Sequence, residues 1–279
     1  MTLRRLLVVF AAAALTQAVA GADPVPLKIT ELGHGPTIVF VHATGGGRLD
    51  WMPTARKLIA RHHVVLVDMP GTGDSPLPEP FSMEAVGDAL DAVLAKQAPE
   101  STIVVGHQSG GYAALMALAA HPGRARGLVL IDTPLKFPLQ LTEQQKKQFT
   151  LMLDQNYETM KPRLFAKMGR DSTQSEAIYA IVSQAPAGTV KAYFREALNA
   201  DANKTIQALG MPVRLLVSDR VWKRDGSWTG VAHTLGWDDT TFVTPHRIVD
   251  SAFWVMKDQP DTLAAILAGF SAERVAAKK

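Results

Sequence analysis

Short apolar runs alternate along this chain with amphipathic stretches. Thr37–Val41, His63–Val67, Thr102–Val105, Gly127–Ile131, Val213–Val217 and Thr241–Val249 are the runs, most of them rich in Val, Ile and Leu. They lack the period of two that marks a strand with one wet face, so they predict a parallel sheet buried on both faces. Between them the pattern changes. Asp50–Ala60, Ser82–Lys96, Gly110–His121 and a stretch from Pro260 towards Phe270 predict helices. Ser82 is placed to accept a hydrogen bond from its helix's first turn, and Pro260 sits where a missing N–H does no harm. Alternation of this kind predicts an α/β architecture with right-handed crossovers.

One region breaks the rhythm. No strand-like run occurs between Ile131 and Met211, where Thr142–Asp154, Asn156–Met168, Thr173–Ser183 and Val190–Asn199 predict helices. Apolar side chains recur along them: Phe149, Met152, Tyr157, Met160, Phe165, Met168, Tyr179, Tyr193 and Phe194. Such a stripe packs helices together, and it can also line a cap over a site at the C-terminal edge of the sheet. Met and aromatic side chains there suit an apolar or amphipathic small ligand. The cap is expected over 135–208, and the sheet domain over 23–134 and 209–279.

Composition narrows the class. A chain of 279 residues that is 47% hydrophobic and 20% charged is globular, with length for one large domain and an inserted subdomain. At the N-terminus Arg4 and Arg5 precede the apolar run Leu6–Leu15, and Ala18-Val19-Ala20-Gly21-Ala22 follows. This is the layout of a secretory signal peptide over 1–22, cut after Ala20 or Ala22. Export to the periplasm or the medium is expected. The apolar run is shorter than the roughly 20 residues that span a bilayer, so no stable membrane anchor is expected. The chain has no cysteine, which excludes disulfides and Cys-ligated zinc. No metal and no cofactor is expected. Of the formal net charge of +3, Arg4 and Arg5 supply most, and no segment combines Lys/Arg with aromatics, so no nucleic-acid partner is expected.

The segment Thr102-Ile103-Val104-Val105-Gly106-His107-Gln108-Ser109-Gly110-Gly111 reads as a strand, a glycine-hinged turn and a helix start. It resembles the nucleophile elbow, G-x-S-x-G, of the α/β-hydrolase superfamily. Val39 to Gly46 resembles that family's oxyanion loop, Asp68 to Ser75 its D-x-x-G-x-G-x-S turn, Leu128–Asp132 the strand before the cap, and Asp258–Asp261 the opening of the last helix. The ordered set spans Pro26 to Phe270. The resemblance, to the capped esterase/lipase-like branch, implies a mostly parallel central sheet flanked by helices, with a helical cap inserted after the sixth strand. It also implies carboxylic ester hydrolysis by a Ser–His–acid triad.

The triad positions hold other residues. Gln108 stands at the nucleophile position, and a carboxamide cannot attack as an activated hydroxyl does. Reading Ser109 as the nucleophile shifts the register and puts His107 where the motif needs glycine. Phe253 stands at the histidine position, seven residues before Pro260. No histidine follows His246, which is left as a rescue candidate. Val221 falls near the usual acid position, leaving Asp219 and Asp132 as equal alternatives. For the oxyanion, Thr44 and Ser109 offer backbone N–H groups. Ala43 replaces a glycine and is strained if it needs positive φ. His42 and His107 are expected to be packed and hydrogen-bonded, His42 fixing its loop.

Serine-based hydrolysis should therefore be very weak or absent, since loss of such a nucleophile or base costs on the order of 10⁶ in rate. Three readings follow. The first is a binder of an apolar small molecule or ester under the cap. The second is a disabled or redesigned carboxylic ester hydrolase. The third is a non-hydrolytic lyase or isomerase that uses the oxyanion hole with Asp132, Asp219 or His246 as its titratable group. A sharper expectation concerns Gln108: its carbonyl would lie ~3 Å from the N–H groups of Ser109 and Thr44 as a built-in acyl mimic, with Phe253 and Trp254 against its methylenes.

Overall fold

The computed structural model describes residues 23–238, 240 and 242–276; the signal-peptide reading lies outside them. In chain order the elements are β1 Ile29–Leu32, β2 Thr37–Val41, α1 Met52–Leu58, β3 His63–Val67, α2 Met83–Leu94, β4 Thr102–His107, α3 Ser109–Ala120 and β5 Gly127–Ile131. Five helices follow: α4 Glu143–Gln155, α5 Tyr157–Leu164, α6 Ser172–Val182, α7 Ala187–Ala197 and α8 Asn203–Ala208. The chain then returns through β6 Val213–Ser218, α9 Trp228–Leu235, β7 Pro245–Ile248, α10 Val255–Asp258 and α11 Pro260–Ala276.

The strands form one sheet in the order β1-β3-β2-β4-β5-β6-β7. All pairs are parallel except β1 with β3. Strand β4 is central, and its register pairs Gly106 with Val41 of β2 and His107 with Ile131 of β5. The ends of these three strands therefore open onto one edge of the sheet. Successive side chains divide between two cores. Val39, Val41, Val104, Leu128 and Leu130 pack on the face covered by α2 and α3, while Ile38, Phe40, Ile103, Val105 and Val129 pack on the face covered by α1 and α11. Both faces are dry, as the unbroken apolar runs predict.

Some boundaries differ from the sequence reading. Strand β1 is not among the predicted runs, because ITEL is short and carries a polar Glu31 on an antiparallel edge. The last strand is Pro245–Ile248, shorter than Thr241–Val249, and lies at the opposite edge. The helical insertion follows the fifth strand rather than the sixth, since a single antiparallel strand precedes the parallel run. Helices α8, α9 and α10 are too short to show a helical period. Ser82 does cap α2, its Oγ accepting the Ala85 N–H at 3.1 Å.

Candidate active site

The turn between β4 and α3 is held by packing of backbone on backbone. A Cβ on Gly106 would meet the Gly111 nitrogen at 2.6 Å and the Gly110 oxygen at 2.7 Å; one on Gly110 would meet the Val41 oxygen at 2.6 Å. Strand, helix and oxyanion loop touch there with no room for a side chain. The apex residue, Gln108, has φ 49° and ψ −117°, which is strained for a residue with a Cβ. It is locked by its N–H to the Ile131 carbonyl (2.9 Å) and by its carbonyl to the Tyr112 N–H (3.0 Å). Ser109 is the first residue of α3 and does not occupy the apex, so the shifted register fails.

The oxyanion loop is differently wired from the expectation. The Thr44 N–H donates to Ser109 Oγ at 2.7 Å, and the two hydroxyls lie 2.9 Å apart. The Gln108 carboxamide makes no hydrogen bond among the described residues, so the acyl-mimic plug is overturned. A short hydroxyl at the helix start reaches Thr44 directly, whereas a glutamine would have to order its whole side chain back over the turn. The Ser109 N–H carries no hydrogen bond among the described residues. Ala43 is unstrained: Gly45, with φ 86°, takes the left-handed conformation instead.

His42 fixes its loop, as expected. Its Nε2 must accept from the Met69 N–H (3.0 Å), so Nδ1 carries the proton and donates to the Ala43 carbonyl (2.8 Å). His107 is packed but not hydrogen-bonded at Nε2; its ring stands edge-on to Phe253, with centroids 4.8 Å apart. Phe253 is buried, and its N–H donates to the Met168 carbonyl at 3.0 Å. Trp254 turns the other way. It packs into the core under the Lys257 ammonium, 3.3 Å from its ring centroid, and does not line the site.

The two acid candidates are occupied elsewhere. Asp132 accepts from the Ser218 N–H (2.8 Å) and hydroxyl (2.6 Å), and burial pushes its pKa up to about 6. Asp219 accepts the Asp250 N–H at 2.7 Å and lies 3.5 Å from the Arg247 guanidinium. Val221 packs its side chain against the core. His246 is exposed on edge strand β7, beside Leu216 in register, which removes its rescue role.

Over the elbow lies a cavity of about 300 Å³. Ala43, Thr44, Gln108 and Ser109 line it from the sheet side, Phe165, Met168, Tyr193 and Phe194 from the helical insertion, and Phe253 from the loop after β7. The aromatic stripe thus lines the site and packs the core at once. Gln108 and Phe253 meet here; Asp132, Asp219, His246, His42, His107 and Trp254 do not line it. Sequence reasoning missed Lys136, Glu196 and Arg220, the charged side chains of the lining. No motif marks them, because each reaches the cavity from a loop or helix outside the family pattern. Among the described residues no His/Asp/Glu cluster could hold a metal, and no helix is long and apolar enough to cross a membrane.

A family model described as "Alpha/beta hydrolase family" matches residues 38–275. The chain belongs to the α/β-hydrolase family. Among curated relatives, this hydrolase-fold chain is similar to the pimeloyl-(acyl-carrier protein) methyl ester esterase of Pseudoalteromonas atlantica, 31% identical over 113 residues, 40% of this chain and 42% of that protein. The enzyme of the same name from Chromobacterium violaceum is 36% identical over 111 residues, with the same shares. The chain therefore spans less than half the length of these relatives. Solved structures agree in fold. A thermophilic esterase from Thermogutta terrifontis superposes with TM-score 0.71 at 20% identity, covering 89% of this chain and 93% of that one. The enol-lactonase from Burkholderia xenovorans gives 0.70 at 13%, covering 88% and 95%.

Burial of the α/β-hydrolase's histidines has a consequence for stability. Desolvation lowers the His107 pKa from 6.5 to about 3, so the unfolded chain takes up a proton that the folded chain refuses. This contribution is full above pH 6.5 and is lost as pH falls towards 3. Burial lowers His42 too, in the same direction. Asp132 opposes them: raised from 3.8 to about 6, its contribution is full below pH 3.8 and is lost as pH rises through 6. Between pH 7 and pH 4 the loss from His107 slightly exceeds the gain from Asp132, and His42 adds to the loss, so stability should fall as the pH is lowered. Urea midpoints across that range measure it. His107→Phe should flatten the slope, and an unchanged slope in that variant would show that His107 is not its source.

Proposed function

We propose that this α/β-hydrolase-fold protein binds an apolar or ester-like small molecule beneath its helical cap, with little or no hydrolysis. One observation carries the reading: the elbow apex and the residue facing the same cavity from the loop after β7 are Gln108 and Phe253, and the first supplies no attacking hydroxyl while the second has no base to take a proton from one. The surrounding fold is in order. Strained apex, close glycines and Ser109 N–H all persist, which supports a scaffold kept for binding.

The test is ligand-induced stabilisation against turnover. A panel of short aliphatic esters, lactones and carboxylic acids should raise the melting temperature saturably for at least one class. Product release from the same esters should stay at the buffer rate. A panel without any stabilisation, or turnover well above background, would sink the proposal.

A second reading, a disabled carboxylic ester hydrolase, is supported by the similarity to methyl ester esterases over the matched segment. The lyase or isomerase reading loses its support, since none of its three titratable candidates lines the cavity.

A further inference from the structure

Three charged side chains line the cavity, and two of them are already engaged. Lys136 Nζ lies 3.5 Å from the Asp238 carboxylate, and Glu196 accepts the Met83 N–H at 3.2 Å. Arg220 has no ion pair among the described residues. Its Nε–H donates to the Lys167 carbonyl at 3.3 Å, and its two terminal nitrogens make no hydrogen bond there. A guanidinium offers five N–H donors in a rigid fork and keeps its charge at any accessible pH. Most of this fork is unused.

Its position ties it to the reaction centre of the fold. Arg220 follows the end of β6, and its anchor, the Lys167 carbonyl, immediately precedes the Met168 carbonyl that holds the Phe253 N–H. Consecutive carbonyls of the cap thus tether the arginine and the residue at the histidine position side by side. The rest of the lining is mostly hydrocarbon, contributed by Phe165, Met168, Phe194 and Phe253. An unpaired cation against such a wall favours an anion that brings its own apolar tail.

We infer that the cavity takes an amphipathic carboxylate, a medium-chain aliphatic acid whose head group engages Arg220 and whose chain runs along the apolar wall of the cap. The free Ser109 N–H and the Gln108 carboxamide, on the same cavity, can serve the carboxylate's remaining lone pairs. This deepens the binding reading above and rests on it. An ester of the same chain fills the apolar wall equally well but gives the guanidinium no charge to pair with.

Calorimetric titration of the full chain with octanoate, methyl octanoate and 1-octanol tests this. Octanoate should bind at least about tenfold more tightly than either neutral probe, the scale of one charge-assisted hydrogen bond. Arg220→Gln should erase that preference while changing the affinity for methyl octanoate by less than about twofold, and Arg220→Lys should keep part of it. Thermal melts report whether the variants are folded; if Arg220→Gln is not, the comparison of charged and neutral probes on the unaltered chain still decides. Equal binding of octanoate and methyl octanoate, or an unchanged octanoate affinity in folded Arg220→Gln, overturns the arginine reading and leaves the binding reading standing. Failure of all three probes to bind overturns both.

Discussion

Gln108→Ser combined with Phe253→His is expected to raise hydrolysis of short aryl esters by about a hundredfold or more over the parent chain, while each single change stays near background. The two positions line one cavity, and the elbow already holds its apex residue in the strained conformation that exposes a nucleophile. Ser109 leaves its N–H free for a developing oxyanion, although its hydroxyl competes for Thr44. The magnitude follows from how such units fail. Loss of nucleophile or base costs about 10⁶, whereas loss of the acid alone costs about 3 × 10⁴. A restored serine–histidine pair should therefore regain about 10² even without an orienting carboxylate. Asp132 is bound to Ser218 and Asp219 to Asp250, so neither is counted on. Burst-phase release of a chromogenic alcohol is the readout. A folded double variant no faster than its parent would mean that the site never supported serine chemistry.

Gly106→Ala should be among the most damaging single changes in the chain, costing about 3 kcal/mol or more and lowering the melting temperature by roughly 6–12 °C. The added methyl would meet backbone atoms of Gly110 and Gly111 at 2.7 and 2.6 Å, and backbone cannot step aside as a flexible side chain can. Relief would need α3 to lift off β4, which would also open the Thr44–Ser109 pair. Gly269→Ala is the control of opposite sign. Gly269 is exposed in α11, with nothing within 4 Å of an added Cβ, so alanine should stabilise by about 0.5–1 kcal/mol through helix propensity. Paired denaturation curves measure both. If Gly106→Ala is as stable as the parent, the close approach of α3 to β4 is not what fixes the elbow.

Much of the architecture is readable along the chain because its signals are local. Val39, Val65, Val104 and Val129 sit in short β-branched runs whose apolar residues follow one another, the pattern of strands covered on both sides. Ile29–Leu32 escaped notice for the converse reason: an edge strand of four residues has too few buried positions to set a pattern. At the site, glycine spacing placed Gln108 at the apex of the turn, whereas the assignment of Phe253 to the histidine position rests on the resemblance to the family. Neither could say that Trp254, one residue on, faces away, since side-chain direction there depends on how the loop enters α10.

By itself, then, the sequence determined the alternation of buried strands with helices and the glycine-hinged turn at Gln108, because periodicity and glycine spacing are properties of neighbours in the chain. Only the tertiary structure decided which groups meet. The Thr44–Ser109 bond joins residues 65 apart, and the Asp132–Ser218 pair joins residues 86 apart. Such distances are closed by crossovers and by a helical insertion whose lengths carry no local signal. Arg220 is the sharpest case. In the sequence it is one basic residue among 29, and only the folding of the helical insertion against the end of β6 brings its guanidinium to a mostly apolar cavity with no ion pair among the described residues.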